Sequence, residues 1–450
     1  MTPLASGAGP ILVTGAEEHQ GLAVIRGLGR AGWNVIACGA RRHSIGFASR
    51  FASASYAYAS AASDPNRFFD DLMRVVRATH PALIVPSVET TLVVLNERRE
   101  EVERHVRLAA PPPATLEFAI DKARTLQLAA RLGVPIPATV CGASCRELLY
   151  RARALTFPVA VKPRGHRLHA STANGVRFKS YYAESLDALA ELLEPLEREA
   201  PALLVQEYAP GVGRCVAAVC RDGVPLSLFA YERDREFPLS GGVSVVRRSI
   251  PLDDRLLAHV CALLGAVAWQ GVAMVEFKYD ARADRYRLME INGRFQASTA
   301  LSLAAGLNLP HLAACVFLGI EPPRPTEYRV GVYARWLRGD LMALRDAFTA
   351  SVVHATPDAG RHAQDRRRRA VSGFIADTFR GVHYDEVTPD DWHPAIVEAA
   401  SLAALLARWT LDALRSMARR VLRYRIAPAL PRQAAASASA RPAAQRSIRA

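Results

Sequence analysis

The chain has 450 residues, 50% hydrophobic and 22% charged, the composition of a soluble globular protein with room for two or three domains. Reading for apolar runs, none is expected to reach the roughly 18 residues of a membrane span, and no basic stretch precedes an apolar one at the N-terminus, so a cytoplasmic protein is expected. The net charge of +14 is concentrated in the tail, where ten arginines against one acidic residue after position 407 supply +9, and the seven scattered cysteines contain no C-x-x-C, which argues against a disulfide framework or a zinc site.

In chain order, "PILVTG", "EEHQGLAVIRGLGRAG" and "WNVIAC" read as strand, helix and strand, and a helix "NRFFDDLMRVVRAT" with a strand "ALIVPS" continues the alternation to about residue 110. This predicts an open parallel sheet. "GLGRAG" matches G-x-G-x-x-G but falls at the helix end, where phosphate would find no free N–H groups. After "APPP" come a helix in "DKARTLQLAARLGVPIP", a strand "FPVAVKP", a glycine- and serine-containing loop to Gly175, a helix near 184–198 and a strand "ALLVQEYAPG". Two strands between Val216 and Val246, a helix at 253–269 and the strands "VAMVEFKYD" and "YRLMEING" follow. From about residue 325 the pattern loosens into "DRRRR", a basic amphipathic helix near 395–425 and an Ala/Pro/Ser/Arg segment expected to be disordered.

Only four of the 57 basic residues are lysines, Lys122, Lys162, Lys179 and Lys278, so these are positions where a compact ammonium rather than a guanidinium fork is wanted. The turn "ARADR" predicts an antiparallel hairpin, and pairing Asp280 with Tyr286 sets Glu276 opposite Glu290. Two bare carboxylates in contact repel by roughly 4 kcal/mol at an effective dielectric near 20, so a cation is expected between them. Asn292 shares their face, and three hard oxygens suit Mg²⁺. The competing reading is two solvated glutamates in a register one residue off. No lysine follows a glycine, which excludes a Walker loop, and the absence of H-R-D and D-F-G argues against a protein kinase. A nucleotide site with lysines on phosphates and carboxylates on magnesium remains.

The set "DKARTLQLAARLGVPIP", "FPVAVKPRG", "LVQEYAPG", "VEF" and "MEINGR", in this order over about residues 10–320, resembles the ATP-grasp superfamily. The resemblance implies an α/β chain with a Rossmann-like open parallel sheet at 1–112, a two-lobed α+β ATP-grasp domain at 113–325 with a lid lobe near 155–208, and a helical C-terminal extension at 326–450. It implies Lys122 and Lys162 on ATP phosphates, with Gln206, Glu207, Tyr208 and Ala209 as the adenine hinge. Glu276, Glu290 and Asn292 would hold one or two Mg²⁺, with Mn²⁺ as the alternative ion, and Arg294 would steady the transferring group. The implied reaction joins a small carboxylic acid to an amine through an acyl phosphate, releasing ADP and phosphate, as in single-chain carboxylate-amine ligases. Two departures stand out. The loop after Lys162 carries His166, Arg167 and His169 in place of dense glycines, and no acidic ribose ligand follows the hinge.

For the second substrate, "YERDREFPLSGGVSVVRRS" offers Arg233, Arg235 or Arg248 around a Gly241-Gly242 turn, with a solvated hairpin edge as the competing reading. Glu89 is a further candidate, with helix capping as its alternative role. Two other functions are weighed. An NADP-dependent oxidoreductase would use "VTGAEEHQG" with Arg41 and Arg42, leaving the lysines and carboxylates unexplained. A membrane-surface protein would act through the basic helix at 396–430, which could otherwise pack on its own domain. A homodimer is the remaining partner expectation, and specific nucleic-acid binding is not expected.

Overall fold

The computed structural model describes residues 9–165, 180–196, 202–238, 241–323, 327–349 and 363–426. Lys179, the histidine-bearing loop 166–175 and the tail beyond residue 426 lie outside the described residues.

Strands β1 (Ile11–Thr14), β2 (Val35–Gly39), β3 (Ala52–Ala57), β4 (Leu83–Pro86) and β5 (Arg107–Leu108) form a parallel sheet in the order β3-β2-β1-β4-β5. Every residue of β1, β2 and β4 is buried, as strands covered on both faces require. Two of the three "GLGRAG" glycines serve packing. A Cβ on Gly27 would stand 2.8 Å from Pro310, and one on Gly29 would stand 2.5 Å from Phe51, so helix His19–Arg30 could not approach its neighbours with larger residues.

A second sheet, ordered β6-β9-β7-β8, joins β6 (Thr139–Cys141), β7 (Val159–Pro163), β8 (Tyr181–Ala183) and β9 (Leu203–Glu207) in antiparallel fashion. Its apolar face packs Val159, Val161 and Val205 onto Leu148 and Leu189 of two helices. The largest sheet is ordered β14-β13-β10-β11-β12-β15-β16, built from β10 (Val212–Arg221), β11 (Val224–Phe237), β12 (Val243–Ser249), β13 (Gly271–Asp280), β14 (Arg285–Asn292), β15 (Tyr333–Arg335) and β16 (His383–Tyr384). Period-two alternation divides β10 cleanly. Val216, Ala218 and Cys220 join one core with Leu256 and Val260 of helix Asp254–Ala266, while Cys215, Ala217 and Val219 join another with Leu309 and Leu312 of helix Leu309–Leu318. Glu276 continues the second face past Val272 and Met274, so the carboxylates sit where that apolar face ends.

Beyond residue 326 the chain is strapped down by buried charge. Arg26, 2% exposed, donates to Asp391 Oδ2 at 2.8 Å and to the carbonyls of Asp385, Glu386 and Asp391. Arg235 pairs with Asp340 and Asp377, Arg335 with Asp340, and Arg247 with Asp385. Asp391→Ala would leave Arg26 buried without its anion, and the expected cost is about 3–5 kcal/mol, read as a lower denaturation midpoint.

Residues 1–399 form one compact unit and residues 400–450 a second. Helix His393–Ile426 occupies the predicted basic amphipathic segment. One expectation is corrected here. His393–Arg415 is long and apolar enough to cross a membrane by length and composition, because scattered Glu398, Arg408 and Asp412 hide an otherwise alanine- and leucine-rich helix from a search for uninterrupted apolar runs.

Candidate active site

Two of the lysines come from separate elements that one carboxylate latches together. Asp121 caps helix Lys122–Arg131 by accepting from the Ala123 and Arg124 amides, and its two oxygens also receive the Arg164 guanidinium at 2.9–3.1 Å. The Lys122 amide donates to the Arg164 carbonyl at 2.9 Å, so the end of β7 is tied to the helix start. Burial raises the Asp121 pKa, but the Arg164 bonds outweigh it and hold the carboxyl below its ordinary value. Lys162 projects from β7 and donates to Gln206 Oε1 at 2.9 Å, and Gln206 Nε2 donates to Thr139 Oγ1. Burial lowers the Lys162 pKa to about 8, with Glu290 and Glu276 opposing the shift and Lys122 and Lys278 adding to it.

The hairpin sets Glu276 directly opposite Glu290, as expected, but by a different route. Asp280 pairs with Arg285, not Tyr286, and a bulge beside Glu276 restores the offset, so the register at the turn is corrected by one residue. Asn292 lies on the same strand two residues on and donates Nδ2 to Glu290 Oε1 at 2.9 Å. Lys122 Nζ stands 3.7 Å from Glu290 Oε2. Arg233 grips Glu276 with both guanidinium ends, at 2.9 and 2.5 Å, and sits 3.6 Å from Glu236, which in turn is 3.9 Å from Lys278 Nζ. Burial pushes the Glu276 pKa up to about 7 against the pull of Arg233, with Glu290 and Glu236 pushing the same way as burial. The donor set is two carboxylates and an amide oxygen, which fits a hard divalent cation. Lysine and arginine already supply positive charge at the positions such an ion would share.

Arg294 and Glu89, predicted from opposite ends of the chain, meet at 3.6 Å. Arg294 Nε is buried without a hydrogen-bond partner among the described residues, and Nη1 donates to the Phe295 carbonyl at 3.3 Å. In "QEYA" the side chains of Gln206 and Glu207 bond within the protein. Gln206 serves Lys162, and Glu207 Oε1 accepts the Thr156 amide at 2.7 Å, while the Tyr208 amide donates to the Pro158 carbonyl and Ala209 is buried. Arg235 pairs with Asp340 and Asp377, and Arg248 with Glu232. Gly241 holds φ +100°, a backbone region side chains disfavour, and a Cβ on Gly242 would meet the Phe237 carbonyl at 2.3 Å. The turn after β1 is filled from within: Gly15 N–H donates to the Tyr58 hydroxyl at 2.8 Å and Glu17 accepts the Ala40 amide. That leaves the dinucleotide reading without its first amide donor.

Residues that sequence reading did not single out are Asp121 and Arg164 as a latch, Thr139 behind Gln206, and Glu236 as the half-buried anion between Arg233 and Lys278. A capping aspartate before Lys122 was visible. Its pairing with Arg164 was not, since the two lie 43 positions apart.

Residues 199–339 match the family model described as "ATP-grasp in the biosynthetic pathway with Ter operon". The arginine-specific carbamoyl phosphate synthase large chain of Lactiplantibacillus plantarum is 25% identical over 335 residues, covering 70% of this chain and 31% of its own. D-alanine–D-alanine ligase of Caulobacter sp. is 26% identical over 186 residues, covering 39% of this chain and 55% of its own. The present chain thus spans about a third and about half of these relatives' lengths. The biotin carboxylase domain dimer of Hydrogenobacter thermophilus 2-oxoglutarate carboxylase, solved with MgADP, ADP and bicarbonate, superposes with a TM-score of 0.57 at 14% identity, over 72% of this chain and 73% of that one. Sheet order, motif order and these likenesses agree with the ATP-grasp match over residues 199–339.

Proposed function

We propose that the protein is a Mg²⁺-dependent ligase that activates a carboxylic acid with ATP and joins it to an amine. The observation that carries this reading is the facing pair Glu276 and Glu290 with Lys122, Lys162 and Arg233 around it, a set of fixed charges suited to a polyphosphate and its counter-ion. A carboxylate oxygen of the substrate attacks the γ-phosphorus and ADP leaves. The amine nitrogen then attacks the acyl carbon and phosphate leaves. Lys122 and Lys162 hold phosphate oxygens, and Gln206 keeps the Lys162 ammonium aimed. Glu276, Glu290 and Asn292 would hold one or two Mg²⁺, or Mn²⁺, which would neutralise charge on the transferring phosphoryl group. Arg294 steadies the acyl phosphate beside Glu89. The hinge role rests on the backbone of Gln206 to Ala209, and the amides of Gly241 and Gly242 are the candidate contacts for the second substrate. The proposed limits are 1–112 for the first domain, 113–325 for the ATP-grasp domain and 326–450 for the extension.

Release of ADP and phosphate from ATP with Mg²⁺, screened over amino acids and other small carboxylates paired with amines, should depend on both partners. AMP and pyrophosphate as products would overturn the reading. We read the protein as a cytoplasmic enzyme, with a homodimer as its candidate assembly. A second contact is proposed for helix His393–Ile426, whose exposed Leu406, Leu411, Leu414 and Met417 are accompanied by Arg408 and Arg415. Co-sedimentation with anionic vesicles, lost on truncation at Arg408 and weakened by salt, is the expected result.

A further inference from the structure

Away from the ATP site, the start of helix His19–Arg30, the segment after β16 and the start of the last helix bring His19, Glu386 and Glu398 together. One ligand atom from each lies within 4.8 Å of the others. His19 and Glu386 are 7% and 3% exposed, and Nδ1 of the first faces Oε1 of the second at 3.2 Å without the alignment of a hydrogen bond. Neither atom has another hydrogen-bond partner among the described residues.

Each neighbouring guanidinium has an anion of its own, and Arg247 Nε and Nη1 are buried without a hydrogen-bond partner among the described residues. Arg26 is bound to Asp391 and three carbonyls, Arg247 to Asp385 and the Ala297 carbonyl, and Arg338 stands 2.8 Å from Glu398. With three acidic groups matched to three arginines, the Glu386 carboxylate is the anion left over. A buried carboxylate in that position needs a proton or a cation. A four-coordinate ion bound at about 2.0–2.2 Å spaces its ligands by roughly 3.3–3.5 Å, and the His19–Glu386 separation already lies near that edge. Glu398 has about 1 Å to close, with Arg338 giving way.

We propose that His19, Glu386 and Glu398 form a second metal site, for a borderline divalent ion such as Zn²⁺, distinct from the hard-oxygen site at Glu276 and Glu290. One nitrogen and two carboxylate oxygens select Zn²⁺ over Mg²⁺, which keeps to oxygen and water. The fourth position takes water. Such an ion fastens the chain after β16 to the first helix of the parallel sheet, where Arg26 and Asp391 already join the same segments.

The test is equilibrium dialysis of chelator-treated protein against Zn²⁺ in excess Mg²⁺ and without nucleotide, with metal content read by mass spectrometry. One Zn²⁺ per chain is expected, retained in Glu290→Gln and bound at least about tenfold more weakly in His19→Gln and in Glu386→Gln. Because those variants could be destabilised, Co²⁺ in the unaltered protein gives a second reading. Visible d–d absorption without sulfur-to-metal charge transfer is expected for nitrogen and oxygen ligands. Native protein that holds no Zn²⁺ would overturn the site and point to a proton shared by His19 and Glu386. Zn²⁺ binding unchanged in both variants, or a sulfur band with Co²⁺, would overturn it equally.

Discussion

Glutamine in place of Glu290 is expected to lower ATP turnover by about three orders of magnitude while the fold stays intact. The reason is local. The amide keeps the shape of the side chain, and its oxygen can still accept from Asn292 Nδ2, which now bonds Glu290 at 2.9 Å. What disappears is one negative charge beside Lys122, where the proposed divalent cation would bind. Glu276 is the less informative position to change. Its carboxylate is held at both oxygens by Arg233, and Glu276→Gln would leave that half-buried guanidinium with Glu236 as its remaining anion, 3.6 Å away, mixing lost activity with lost stability. Steady-state ADP release for Glu290→Gln, with circular dichroism and Tm as controls, separates the two. Near-normal turnover would remove Glu290 from the phosphoryl site.

Much of this site could be read from the chain because its signals are local or compositional. Alternation in "MEINGR" put Glu290 and Asn292 on one face, and a short turn brought Glu276 opposite. The register survived only because a bulge compensated for a hairpin closed one residue away from the expected pair. Scarcity of lysine was informative in a different way. Lys122, Lys162 and Lys278, all that fall among the described residues, act on the same group of carboxylates, because a small ammonium can share a crowded cavity that a guanidinium fork cannot. The arginines' pairings were hidden for the complementary reason. Arg233 and Arg235 looked like substrate ligands beside a glycine turn, yet one is the counter-ion of Glu276 and the other ties β11 to Asp340 and Asp377. Their partners lie 43, 105 and 142 positions away, and nothing in local pattern encodes such pairings. The same distance hid the extension's role in completing the large sheet: β15 and β16 are three and two residues long, too short to show a period.

The second large effect is on pH dependence, and its sign follows from two shifted groups. Burial brings Glu276 up to about 7 and Lys162 down to about 8, so each lies far closer to neutrality than in a solvated chain. Below about 7 Glu276 takes a proton and loses the charge that attracts a divalent cation. Above about 8 Lys162 loses a proton and with it the charge that attracts phosphate. For kcat/KM toward ATP, which reports the free enzyme, a bell is therefore expected with its maximum between about 7 and about 8. The groups influence each other, so the limbs belong to the cluster rather than to single residues. Two manipulations assign them. Raising subsaturating Mg²⁺ tenfold should move the acid limb down by up to about one pH unit, since cation and proton compete for the same carboxylate. Lys162→Met should remove the alkaline limb and lower kcat/KM by about 100-fold. The same substitution has an opposite effect on the unliganded fold. A lysine whose folded pKa lies below its unfolded value of 10.5 weakens the protein at pH values under about 8, and that penalty fades as pH rises toward 10.5. Lys162→Met should therefore raise Tm at pH 7 while it cripples ATP use, a combination that unfolding cannot produce. An alkaline limb that persists unchanged in this variant would mean that another group, not Lys162, meets the phosphates.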